Sequence, residues 1–173
     1  MLYVRARLFL IALFIGIGIL LQVQVGWKGS WYLYAAGLLL LLTHLRFGPV
    51  WAAFVQLRQG KLAEAERLLK QVWQPAWLAR RHRAYFYFTK GMLAIQHKQQ
   101  AVGCADLQKA LDLGLRSKTD EALALLNVAF MHLQDQRYAE AQALLDRAKS
   151  LEVNDLLVKQ NIQEMEAALI RQN

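Results

Sequence analysis

Displaced by 38 residues, the chain matches itself in three blocks, and the matches fall where helices would pack. Val50, Phe88 and Leu126 coincide, as do Phe54, Met92 and Phe130, and Leu57, Ile95 and Leu133. A small residue recurs mid-helix at Ala53, Gly91 and Ala129, and a second at Ala65, Gly103 and Ala141. Leu69, Leu107 and Leu145 then supply a large apolar residue, followed by Val72, Ala110 and Ala148. Within a block this spacing is that of two amphipathic helices joined by a short turn. The punctuation agrees. Pro49 suits the opening turn of a helix that ends near Gly60, Leu62 begins a helix that Pro75 stops, and a helix over 81–97 precedes one ending at Gly114. Thr119, with Asp120 and Glu121 behind it, can cap a further helix whose partner runs from Tyr138 to Leu151. Neither helix of a pair can bury its apolar face alone, so the repeat commits the chain to an all-α stack of pairs.

The recurrent small residues let the two helices of a pair approach closely, and on them the blocks resemble tetratricopeptide repeats. The third block carries Asn127, Val128 and Ala129 in its first helix, Tyr138 at the turn, and Ala141 and Ala148 in its second. The first matches through Ala53, Gly60, Leu62, Ala65 and Leu69. The second has Gln100 where an aromatic or leucine is expected, although Gly91, Gly103, Leu107 and Ala110 fit. The resemblance covers residues 46–155 and departs from the family's period of about 34 by longer connections. It implies a domain over 46–173: a short α-solenoid with repeats at about 46–79, 84–117 and 122–155, and a capping helix over 155–171. In similar proteins the first helices of the pairs line a concave surface that takes a peptide or a partner's helix. That surface would here include Tyr85, Phe88, Met92, Leu123, Asn127 and Phe130, although aromatics at this spacing serve equally as core. The family's carboxylate-clamp subset needs lysines and an arginine on the same surface. Only Asn127 matches, so a receptor of chaperone tails is not expected.

The N-terminal third is of another kind. Residues 8–25 form an apolar run without charge, about 27 Å long as a helix, close to the thickness of a bilayer core. A second run occupies 31–45, and between them lies a glycine-bearing turn, 26–30. Trp27, Trp31, Tyr32 and Tyr34 crowd the turn as an interfacial aromatic belt would. Residues 1–45 are therefore expected to form a transmembrane helical hairpin. Arg5 and Arg7 before it, and Arg46, Arg58 and Lys61 after it, place both termini in the cytoplasm, as in a bacterial inner membrane. A cleaved signal peptide is the rival reading, but no small-residue cleavage site follows Leu21.

The net charge of +8 is uneven: +6 over residues 1–63, where no carboxylate occurs, and −4 over 119–173. Positive charge beside apolar segments argues for membrane topology over nucleic acid. Cys104 is the single cysteine, which leaves neither a disulfide within the chain nor a multi-cysteine metal site. His44, His82, His97 and His132 lack metal-ligand spacing, and no glycine-rich phosphate loop is present. An enzyme, a metal or a cofactor is not expected. A second candidate site is the cationic group Arg80, Arg81, Arg83 and Lys90, with Tyr85 and Tyr87 nearby, suited to anionic lipid headgroups or an acidic partner segment, although a solvated turn between repeats accounts for it at least as well. The combined expectation is a membrane-anchored adaptor whose repeats hold a protein or peptide. The alternative is an accessory subunit of a larger membrane complex, held through its hairpin.

Overall fold

The computed structural model describes residues 9–10, 12–13, 16–20, 22–23, 31–39 and 49–171. Seven helices follow Pro49: α1 (Val50–Arg58), α2 (Leu62–Leu69), α3 (Arg80–Gln96), α4 (Gln100–Leu113), α5 (Lys118–Gln134), α6 (Tyr138–Ser150) and α7 (Leu156–Ile170), with a 3₁₀ turn at Pro75–Trp77 between α2 and α3. All secondary structure among the described residues is helical. Thr119 is not the cap of α5: Ser117 Oγ accepts from the Asp120 N–H at 3.3 Å, which moves the helix start toward the N-terminus. Asp155 caps α7 in the same manner, accepting from the Leu157 and Val158 N–H groups.

The 38-residue repeat is also a repeat of backbone. After α1, α3 and α5 the chain turns through left-handed residues at Gly60 (φ 74°), Lys98 (φ 61°) and Gln136 (φ 60°), each 38 positions from the next. The same bond closes each turn: Lys61 N–H to Gln56 O at 2.9 Å, Gln99 N–H to Ala94 O at 2.8 Å, and Arg137 N–H to His132 O at 2.8 Å. This six-to-one bond satisfies a carbonyl that the helix end would otherwise leave orphaned. A second register recurs at Gly114 (φ 87°) and Glu152 (φ 50°), after α4 and α6.

The small residues sit where helices cross. Ala53, Ala65, Ala129 and Ala141 are wholly buried. In the middle pair, contact reaches the backbone. A Cβ placed on Gly91 would lie 2.8 Å from Gly103 O and 2.9 Å from Leu107 Cγ, and one on Gly103 would lie 2.6 Å from Ile95 Cγ1. Gly91 faces Leu107 while Ile95 faces Gly103, so α3 and α4 run antiparallel. One continuous core passes through the three pairs, with Leu107, Leu125 and Leu145 fully enclosed, and α7 seals its end with Val158, Met165 and Leu169.

The N-terminal expectation is corrected. Among the described residues no helix is long and apolar enough to cross a membrane. The Tyr34 hydroxyl donates to Gln22 Oε1 at 2.8 Å, and a side chain at Gly18 would meet the Tyr34 ring at 3.0 Å, so the described helical residues within 16–23 and 31–39 meet. The transmembrane hairpin over 1–45, and with it the placement as an integral inner-membrane protein with both termini cytoplasmic, is therefore not supported. The turn at 26–30, residues 40–45, and Arg5, Arg7 and Arg46 lie outside the described residues.

Candidate functional site

The first helices of the pairs converge on a cleft of about 580 Å³. Its floor is aromatic because α1 and α3 carry rings one helical turn apart on their facing sides. Phe54 lies edge-on to Tyr85 and Phe88 with ring centroids 5.0 and 6.0 Å away, and Trp51 packs on Phe54 at 5.3 Å and on Tyr85 at 5.9 Å. Such edge and tilted contacts add to simple burial. Phe54, Tyr85 and Phe88 are buried, whereas Trp51 remains 59% exposed and forms the open wall.

The far side is the first turn of α5. Tyr85 donates its hydroxyl to Asp120 Oδ2 at 3.1 Å, and the carboxylate is 5% exposed. Burial, then the Asp120 charge, push the Tyr85 phenol above its ordinary pKa, so it stays a hydrogen-bond donor. Around the mouth stand Arg58, Arg81 and Arg116, with His82 beside them. Arg58 lies over the Phe54 ring at 5.8 Å from its centroid. Among the described residues, none of these three arginines has an ion-pair partner. Burial, and then the charge of Arg81, lower the pKa of His82 and favour its neutral form.

The residues expected on the concave surface divide. Tyr85 lines the cleft and Phe88 is core beneath it. Met92, Leu123 and Asn127 are half-buried on the α3–α5 side, where the Asn127 amide donates to Leu123 O at 2.7 Å and reaches Met92 Sδ at 4.0 Å. Phe130 lies apart, 44% exposed, at a smaller hollow of about 210 Å³ between α5 and α7.

The expected cationic group is dispersed. Arg80 donates from Nε to Leu113 O at 2.9 Å, closing the C-terminus of α4. Lys90 pairs at 2.9 Å with Asp106, whose side chain is 3% exposed, so its role is to neutralise a buried carboxylate. Arg83 faces a shallow hollow with Tyr87 and Lys109. Only Arg81 reaches the cleft.

Sequence reasoning missed Trp51, Arg58, Arg116 and Asp120 as members of one site. A local signal existed for one of them: Phe54 and Arg58, four apart, are neighbours on a helix face. Cys104 offers no reactive centre. Its thiol donates to Asn127 O at 3.6 Å and is pushed by burial, and next by Asp135, up to about 11. Among the described residues no group of His, Cys, Asp or Glu could hold a metal ion.

No protein-family model matches the chain, and comparison with curated proteins and with solved structures gives no match.

Proposed function

We propose that the chain is a non-enzymatic binding module of the tetratricopeptide kind, an adaptor that holds a segment of a protein partner in the cleft between α1, α3 and the start of α5. The observation that carries this reading is where the cleft lies. It is lined by the first helices of two pairs and by the cap of the third, and of the six residues that the resemblance assigns to partner binding it includes Tyr85. Its volume falls in the range of about 300–1,000 Å³ typical of ligand sites. A half-exposed tryptophan over buried rings is the type of anchor on which binding energy concentrates.

Panning a random-peptide display library on the full chain tests it. Peptides that bind wild-type protein and lose most of their affinity to Trp51→Ala are expected. An absence of enrichment, or enrichment indifferent to Trp51→Ala, overturns the reading.

A further inference from the structure

We infer that the segment held in this cleft is acidic: a stretch of protein in which carboxylates flank an aromatic or aliphatic side chain, the carboxylates meeting Arg58, Arg81 and Arg116 and the apolar group entering between Trp51 and Tyr85. The inference rests on the adaptor reading and adds the chemistry of the partner.

Three guanidinium groups from separate parts of the chain stand at one mouth: the last residue of α1, the first turn of α3 and the approach to α5. The lone carboxylate among the described lining residues, Asp120, is buried and already accepts from the Tyr85 hydroxyl and lies in the capped first turn of α5. Among the described residues it forms no ion pair with any of the three, so three exposed guanidinium groups face one buried carboxylate. Guanidinium forks match carboxylates in two-point geometry, and an exposed arginine loses little by waiting for one. The apolar floor adds a requirement that charge alone does not, since a group must fill the space beside Trp51.

A nucleic-acid strand fits less well. Within the cleft, Trp51 is the one exposed ring among the described residues on which a base could stack, and the chain beyond residue 119 is net negative, so a polyanion following the stack would meet like charge. A short acidic segment needs neither a row of platforms nor a long basic track.

The test is fluorescence anisotropy on the full chain with a labelled peptide of about twelve residues that alternates Glu with Leu and Phe. Its Gln-for-Glu and Lys-for-Glu counterparts and an oligothymidylate serve as comparators. The acidic peptide should bind about tenfold or more tighter than the Gln peptide, and weaken as salt rises. Each of Arg58→Gln, Arg81→Gln and Arg116→Gln should cost about 2–5-fold, as expected of rim charges, and Lys159→Gln should change nothing. Arg81→Glu should shift preference toward the Lys peptide, a gain that misfolding cannot produce. Equal binding of the Glu and Gln peptides, lost together in Trp51→Ala, removes the acidic preference and leaves the adaptor reading standing. Tighter binding of oligothymidylate, or indifference to all three arginines, overturns the inference. If no peptide binds and panning enriches nothing, the adaptor reading falls and takes the inference with it.

Discussion

Gly91→Ala adds one methyl group where α3 and α4 cross in backbone contact. Helix propensity alone predicts a gain, because alanine exceeds glycine by about 1 kcal/mol in a helix interior. Packing predicts the reverse. The new Cβ would lie 2.8 Å from Gly103 O and 2.9 Å from Leu107 Cγ, and the first of these is backbone that no rotamer change can move. Relief requires α3 and α4 to separate, which opens gaps around the enclosed Leu107. Overpacking costs about 1–3 kcal/mol, and a clash with backbone that cannot rotate away falls in the upper part of that range, about 2–3 kcal/mol. The expected net is a loss of roughly 1–2 kcal/mol after the propensity gain is subtracted. Urea and thermal unfolding followed by far-ultraviolet circular dichroism should show a melting temperature lower by about 2–8 °C. Gly103→Ala should behave alike, since Gly91 O lies 2.8 Å from its Cβ position. Once the helices have parted for one methyl, the second needs less room, so the double variant should lose less than the sum of the singles. An unchanged or raised midpoint for Gly91→Ala would refute the close-approach argument, and strict additivity would refute the shared separation.

The other predictions are smaller. Gln136→Gly relieves a side chain at φ 60° and should stabilise the chain by about 1 kcal/mol, whereas glycine at the helical Gln134 should destabilise it; equal melting shifts would count against the turn assignment. Tyr85→Phe withdraws the hydroxyl from the buried Asp120 and should cost about 1–3 kcal/mol, read by urea denaturation; an unchanged midpoint would mean the carboxylate is satisfied otherwise. For His82 the folded pKa lies below the ordinary 6.5, so the unfolded chain takes up the proton first as pH falls. Stability should therefore decline from about pH 6.5 downward until the folded imidazole also protonates, and His82→Gln should flatten that slope; parallel wild-type and variant profiles would exclude His82 as the cause.

What the sequence disclosed was whatever depends on spacing along one chain. The small residues at 53, 65, 91, 103, 129 and 141 read as crossings, and they are buried crossings. Gly60 read as a helix end and is one. Lys98 and Gln136 take the same left-handed turn without glycine, because the six-to-one bond and the packing of each pair hold them there, and residue type alone does not announce that. Two readings failed for reasons of the same kind. An apolar run measures how much of a segment avoids water, whereas crossing a bilayer requires one unbroken helix of sufficient length, and no described helix has it. The cationic group at 80–90 looked like one patch because its members are close in sequence, but successive helical residues point in different directions, and Arg80, Arg81, Arg83 and Lys90 serve four different neighbourhoods. Conversely, Arg58 and Arg116 meet Arg81 only after the pairs have stacked.

The first turn of α3 is where the chain goes against its own local electrostatics. The start of a helix carries partial positive charge and favours carboxylates, and α5 obeys this with Asp120 and Glu121 behind the Ser117 cap. Helix α3 has no side-chain cap and no acid in its first turn, and places Arg80, Arg81, His82 and Arg83 there instead. Each cation so placed costs about 0.3–1 kcal/mol. Arg80 offsets this by closing the end of α4 through Leu113 O, and His82 sheds its charge through burial. Arg81 stands at the mouth of the cleft, and no ion pair among the described residues compensates its position. A residue that opposes folding at the mouth of a cleft is accounted for by the proposed acidic partner. The two effects of Arg81→Gln should then carry opposite signs: slightly higher stability of the free chain, by a few tenths of a kcal/mol in order of magnitude, and weaker binding of the acidic peptide. A substitution that lowered both together would show that Arg81 belongs to the scaffold and would remove the electrostatic argument for the partner's charge.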